Sequence, residues 1–315
     1  MRLLTSALVL AIALTIAVMQ LSAQQPAPNF SSESQLVVLH VAVRDKKGGY
    51  VSGLGHDAFH VFENKQAQPI SFFSSQDAPV TVGLLIDSSG SMGPNRDLVI
   101  AASMAFARTS NPQDEMFVLG FNENINRPLP QDAPYARDLA TLQNALMHAI
   151  TARGQTAIYN AVNEGLDDVS QGHFDRQVLV VVSDGGDNAS STTRAQVLAH
   201  AQASNALIYT VALIDPLDSE ADPGFLKELA DATGGQAFRP KDIGSVGSVL
   251  QKIARDIRNM YTLGYVPATN MAARKEEFRR VIVDAVLPTG QKVKVRTRRA
   301  YLAGESHAET SFNAP

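Results

Sequence analysis

The chain predicts an α/β fold, a doubly wound and mostly parallel sheet with helices on both faces, inserted in a small β-sandwich formed by its N- and C-terminal flanks. Three observations carry this. From Val80 onward, apolar strand-like runs alternate with helical stretches, the pattern of a largely parallel sheet covered on two sides. The runs Val80–Ile86 and Val178–Val182 are almost continuously apolar, as strands buried on both faces are. The segments on either side of this region read as strands, yet each is too short to bury a core alone.

In chain order, residues 36–78 form the first β segment. Leu36–Val43 is a strand candidate followed by a turn at Lys46-Lys47-Gly48-Gly49. Phe59–Glu63 alternates apolar and polar like a half-buried strand, and Pro69–Phe73 offers another. Residues 79–260 form the α/β domain. Its strands are predicted at Val80–Ile86, Met116–Phe121, Val178–Ser183 and Ala206–Ala212. Its helices are predicted at Arg96–Arg108, Tyr135–Ile150, Ile158–Val169, Thr193–Ser204, Gly224–Thr233 and Ile243–Arg258. Residues 261–302 return to β, with strands expected at Tyr261–Val266, Arg280–Ala285 and Lys292–Arg296, pairing with 36–78. Residues 303–315 are expected to be a disordered tail.

Composition limits the function classes. The 315 residues are 45% hydrophobic and 18% charged, which suits a globular protein. Cysteine is absent, so thiol nucleophiles, zinc–thiolate sites and a lipid-modified N-terminal cysteine are excluded. A formal charge of −4 argues against nucleic acid as a partner. The N-terminus carries Arg2, runs apolar through Leu21 and reaches Leu21-Ser22-Ala23 before Gln24-Gln25. This reads as a secretory signal peptide over 1–23, ahead of a flexible lead-in at 24–35, and places the protein in the periplasm or outside the cell. An uncleaved anchor is the alternative, and only in that case is membrane attachment expected.

Chemistry concentrates where the apolar runs end. The Val80–Ile86 run is followed by Asp87-Ser88-Ser89-Gly90-Ser91, and strands of open α/β sheets meet ligands at their carboxyl ends. Asp87, Ser89 and Ser91 offer only oxygen, a set suited to a hard cation such as Mg²⁺. Thr156 sits in Gly154-Gln155-Thr156-Ala157, just before a helical pattern, and Asp184 ends the Val178–Ser183 run. These three segments, in this order, resemble the metal-ion-dependent adhesion site (MIDAS) of the von Willebrand factor type A (VWFA) domain, a Rossmann-like fold. Position by position, the resemblance assigns Asp87, Ser89, Ser91, Thr156 and Asp184 as metal ligands. It implies Mg²⁺, with Mn²⁺ or Ca²⁺ as substitutes, and a protein partner that supplies an exposed Asp or Glu as the last ligand. The flanks, with Val43-Arg44-Asp45-Lys46-Lys47-Gly48, Asp57-Ala58-Phe59-His60-Val61-Phe62-Glu63 and Tyr261-Thr262-Leu263-Gly264-Tyr265, resemble VWFA-related proteins abundant in Acidobacteria.

The functional expectation is an exported, metal-dependent, adhesion-type binding module and not an enzyme. Two alternatives stand beside it: a scaffold subunit with an idle site, and a Mg²⁺-dependent phosphohydrolase with Asp87 as nucleophile. The second lacks the general acid that such enzymes place two residues on, where Ser89 stands. Asp187 and Asn188 follow Asp184 and either brace the ligands from behind or simply form a polar turn, the turn being the expectation. Asn122 and Glu123 are expected near the same sheet edge. Gly53-Leu54-Gly55-His56-Asp57-Ala58 approaches a dinucleotide fingerprint but lacks the following helix. His56 and His60 are set aside as a ligand pair because His60 falls in a strand-like alternation. Lys292, Lys294, Arg296 and Arg298 alternate with apolar residues and Thr297, and are expected to line a solvated strand face.

Overall fold

A computed structural model describes residues 36–214, 220–267, 277–287, 290–291 and 293–303, which belong to one compact unit, Gln35–Pro315. The expected signal peptide and lead-in, Lys292 and the tail from 304 lie outside the described residues.

In chain order the N-terminal flank supplies β1 (Val37–Arg44), β2 (Phe59–Glu63), β3 (Gln66–Gln68) and β4 (Ile70–Ser74). The α/β body follows with β5 (Thr81–Asp87), α1 (Arg96–Thr109), β6 (Glu115–Phe121), β7 (Ile125–Asn126), α2 (Leu139–Ala149) and α3 (Ile158–Ser170). It continues with β8 (Gln177–Ser183), α4 (Arg194–Ala203), β9 (Leu207–Ala212), α5 (Pro223–Thr233), β10 (Ala237–Phe238) and α6 (Val246–Arg258). The C-terminal flank adds β11 (Tyr261–Tyr265), β12 (Glu277–Ala285), β13 (Lys294–Arg296) and β14 (Ala300–Ala303).

Among the described residues the strands form three sheets. The body's sheet has the order β10-β9-β8-β5-β6-β7, parallel except for the edge strand β7. Successive side chains of β5 point to opposite faces. Val82, Leu84 and Ile86 therefore join a core with α1, α2 and α6, whereas Leu85 joins a second core with α3, α4 and α5. Gly83 keeps the second face open: a methyl there would stand 2.4 Å from the Phe117 ring and 2.5 Å from Leu179. Both neighbours fill the gap in β5 that a side chain would occupy.

The flanks interleave. One sheet runs β13-β1-β11-β4 and the other β14-β12-β2-β3, so each draws strands from both ends of the described chain. Leu39, Val41, Tyr261 and Leu263 of the first pack against Phe59, Val61, Val281 and Val283 of the second in one shared core. This is the sandwich expected from two segments too small to stand alone.

Two expectations are corrected. The helix expected from Tyr135 begins only at Leu139, because Ala136 exchanges two backbone hydrogen bonds with Met116 (2.7 and 2.9 Å) and is held extended. Asp138 then starts the helix by accepting the Thr141 N–H at 2.8 Å. Of the basic residues expected on a solvated face, Lys294 is exposed, but Arg296 is half-buried and Arg298 buried. Arg298 donates to Gln202 O and Ser204 O at the end of α4, and Arg296 to Gly234 O at the end of α5. Helix C-termini present orphan carbonyls and partial negative charge, which is where guanidinium groups settle. An alternating pattern reveals which face a residue is on, and a neighbouring domain decides whether that face is wet.

Candidate metal centre

β5 ends on Asp87, whose side chain turns back into the protein. Its Oδ1 accepts the Ser89 N–H (2.9 Å) and its Oδ2 accepts the Ser183 hydroxyl (2.6 Å). Asp87 is fully buried, and burial pushes its carboxyl above the ordinary range while the Ser183 and Ser89 hydrogen bonds pull it back. The Ser183 hydroxyl also accepts the Gly185 N–H at 3.0 Å. One side chain thereby fixes the carboxyl ends of two neighbouring strands, β5 and β8.

After Asp87 the chain makes a tight 3₁₀ turn over Gly90–Asn95. The turn folds Ser91 back so that its Oγ lies 3.1 Å from Ser89 Oγ and donates to Asp184 Oδ2 at 3.3 Å. Asp184 Oδ1 accepts the Gly186 N–H (2.9 Å), within a turn that Gly185 makes at φ +88°. Gly185 is required there on a second count, since a side chain would strike Asp222 O at 2.3 Å. Asp87, Ser89, Ser91 and Asp184 thus form one linked set at the carboxyl edge of the sheet.

Thr156 comes from the loop before α3, and that loop is tied down on both sides. Ser88 Oγ accepts the Thr151 N–H (2.6 Å), Ser88 O accepts the Arg153 N–H (2.9 Å), and the Gly90 N–H reaches Gly154 O at 3.3 Å. On the other side Asn188 Oδ1 accepts the Thr156 N–H (2.8 Å), while Thr156 O accepts the Asn188 N–H (2.9 Å). Asp187 accepts the Tyr159 N–H at 3.1 Å and so supplies the cap that Ala157 cannot give to α3. Asp187 and Asn188 do more than turn the chain, because they splice the Asp184 loop to the Thr156 loop. Asn122 and Glu123 serve the same loop, Asn122 donating to Arg153 O (3.0 Å) and Glu123 accepting the Gln155 N–H (2.9 Å).

Ser88 and Ser183 escape sequence reasoning. Ser88 is the residue skipped in the Asp-x-Ser-x-Ser pattern. Ser183 had one signal, a hydroxyl closing a run of valines where another valine would pack equally well.

The five residues expected as ligands offer two carboxylates and three hydroxyls, all hard oxygen. Among the described residues no group of three His, Asp or Glu side chains is placed to hold a metal, so a cation here must draw on the hydroxyls. The chemistry of these oxygens fits Mg²⁺ or a related hard cation. The set-aside motifs stay apart from this edge. His56 lies in a 3₁₀ turn that runs straight into β2, bonded to Asp57 and to Ile70 O, and no helix follows to cradle a phosphate.

Among solved structures, a von Willebrand factor type A protein from Catenulispora acidiphila aligns at 13% identity over 88% of this chain and 76% of that one, with TM-score 0.48. The vWF domain of the type V pili tip protein Mfa5 from Porphyromonas gingivalis aligns at 13% identity over 57% and 95%, with TM-score 0.47. Proximal thread matrix protein 1 from the mussel byssus, with zinc in its MIDAS motif, aligns at 13% over 61% and 48%, with TM-score 0.47. No curated protein matches the sequence. The sequence profile of the von Willebrand factor type A domain matches residues 82–254, more than half of the chain, and the protein belongs to that family.

Proposed function

We propose that the protein is an exported, adhesion-type binding module in which Asp87, Ser89, Ser91, Thr156 and Asp184 hold a divalent cation, Mg²⁺ in the first instance, and a partner protein completes the site with an Asp or Glu. The supporting observation is the converged Ser89–Ser91–Asp184 set, which gathers two hydroxyls and a carboxylate within hydrogen-bonding distance at the carboxyl edge of the sheet. When bound, the cation supplies a Lewis-acidic position for a carboxylate oxygen. Asp87 acts from behind, orienting Ser89 and drawing the β8 end against β5 through Ser183. Ser88 and Asn188 hold the Thr156 loop at the rim. The leader-like N-terminus supports export.

The phosphohydrolase alternative needs a general acid two residues after Asp87, and the residue in that place is Ser89, whose hydroxyl lies 3.1 Å from Ser91 Oγ.

Thermal unfolding in EDTA and in Mg²⁺ or Mn²⁺ tests the reading. Saturation at about 100 times Kd adds about 2.7 kcal/mol, or roughly 5–10 °C. The wild type should show this shift, and Ser91→Ala and Asp184→Ala should lose most of it. No shift in wild type sinks the metal site. A shift without any EDTA-sensitive partner favours the scaffold alternative.

A further inference from the structure

The outer face of the sandwich carries an apolar stripe flanked by opposite charges. On β12 the residues facing inward, Arg279, Val281 and Val283, are buried. Those facing outward are Phe278, Arg280, Ile282 and Asp284, and Val286 continues the stripe beyond the strand. Phe278, Ile282 and Val286 are 48%, 52% and 50% exposed, far more than large apolar side chains on a finished surface need to be. The register extends the patch sideways, with Ile282 opposite Phe62 on β2, Phe62 opposite Ala67 on β3, and Phe278 opposite Leu302 on β14.

The order of these residues along β12 is informative. Centred on Ile282, the outward row reads apolar, Arg, Ile, Asp, apolar. Arg280 and Asp284 stand four residues apart on an extended strand, about 13–14 Å, with Ile282 between them, so they cannot pair with each other. Neither takes part in an ion pair among the described residues. A second copy laid face to face, with its β12 antiparallel to the first and Ile282 over Ile282, puts Arg280 over Asp284 twice and Phe278 over Val286 twice. The parallel arrangement would instead set Arg280 against Arg280 and Asp284 against Asp284. The row is therefore self-complementary under one two-fold orientation and self-repelling under the other, as an isologous interface requires.

We propose that this face is a homodimer interface, formed by two sandwiches stacked through β12 about a two-fold axis at Ile282. The four strands hold 9, 5, 3 and 4 residues, which at ~3.3 Å per residue and ~4.8 Å between strands present on the order of 300 Å² per copy and place the dimer among the weak ones, in the micromolar range or above. The proposal is independent of the metal-site reading.

Sedimentation velocity on the purified protein, from low micromolar to submillimolar concentration, tests it with two charge reversals, Arg280→Asp and Asp284→Arg. Each alone sets like charges against each other and should raise the dimer Kd at least about tenfold. Mixed together, the two variants regain both opposite-charge pairs, so the mixture should form a dimer that neither variant forms alone. The double variant should dimerise like wild type. A wild type that stays monomeric throughout overturns the proposal, as does a mixture no more dimeric than its components.

Discussion

At the scale of single residues, His40 shows how far burial can move a group that sequence leaves unremarked. It sits in the middle of β1, and burial first, then the nearby Arg176 and Arg298 guanidinium groups, push its pKa down to about 3. The unfolded chain takes up this proton near pH 6.5, whereas the folded chain resists until about pH 3. Between those values the unfolded state binds more protons, so the stability His40 secures above pH 6.5 is lost as pH falls toward 3. The full effect is on the order of 3–5 kcal/mol. Chemical unfolding of wild type and His40→Gln from pH 7 to pH 4 should show a shallower acid decline in the variant, and parallel declines would contradict this account. The candidate site was legible at this scale only where residues follow a linear pattern. Asp87, Ser89, Ser91, Thr156 and Asp184 could be read from strand ends and spacing. The partners that position them, Ser88, Ser183 and Asn188, act across 32 to 96 positions of sequence, which no local pattern records.

At the scale of elements, the body's helices and strands were legible because burial on two faces writes long apolar runs and helical periodicity. Short elements were not. β7 and β10 span two residues each and exist because a neighbouring strand offers hydrogen bonds, not because their own residues demand it. α2 starts later than its composition suggests for the same reason: Tyr135–Arg137 has helical composition, but the Met116–Ala136 backbone pair outweighs it. α2 also shows what the sheet asks of its neighbours. Its C-terminus crosses β6 so closely that a Cβ on Gly120 would stand 1.9 Å from Ala149 O, a backbone atom that cannot step aside. Gly120→Ala should therefore push the helix off the sheet and cost about 3 kcal/mol or more by denaturant titration. A loss under about 1 kcal/mol would mean that α2 is free to slide.

At the scale of the molecule, arginines join the sandwich to the body at the amino edge of the central sheet. Arg296 and Arg298 close the ends of α5 and α4, and Arg176, just before β8, donates to Ile257 O in α6 and to the Thr262 hydroxyl in β11. Asp256 of α6 gathers the remainder. Its side chain is fully buried, accepting Arg44 from β1 at 2.7 Å, the Tyr209 hydroxyl at 2.8 Å, and Arg296 from β13. Removing it leaves two guanidinium groups short of a counter-ion in a poorly hydrated place, so Asp256→Ala should lose about 3–5 kcal/mol. The loss should appear as a single transition by fluorescence and circular dichroism together. Separate sandwich and body transitions in the wild type would show that the network does not couple them.

The insertion of one fold inside the other also sets an order of assembly. Ser74 of β4 pairs with Thr262 of β11, so the sandwich's first sheet closes a loop of nearly the whole body. In an unstructured chain, bringing ends that far apart together costs about 4–5 kcal/mol in closure entropy before any strand pair repays it. A folded body removes that cost, because β5 and α6 leave it as neighbours of the sandwich strands they continue. During synthesis the N-terminal strands emerge first: β2 can pair with β3, but β1, β4 and the free edge of β2 must wait for partners until residues beyond Tyr261 appear. The sandwich is thus the last part to form, and its flanking strands are where an interrupted or slowed chain is most exposed to pairing with another molecule.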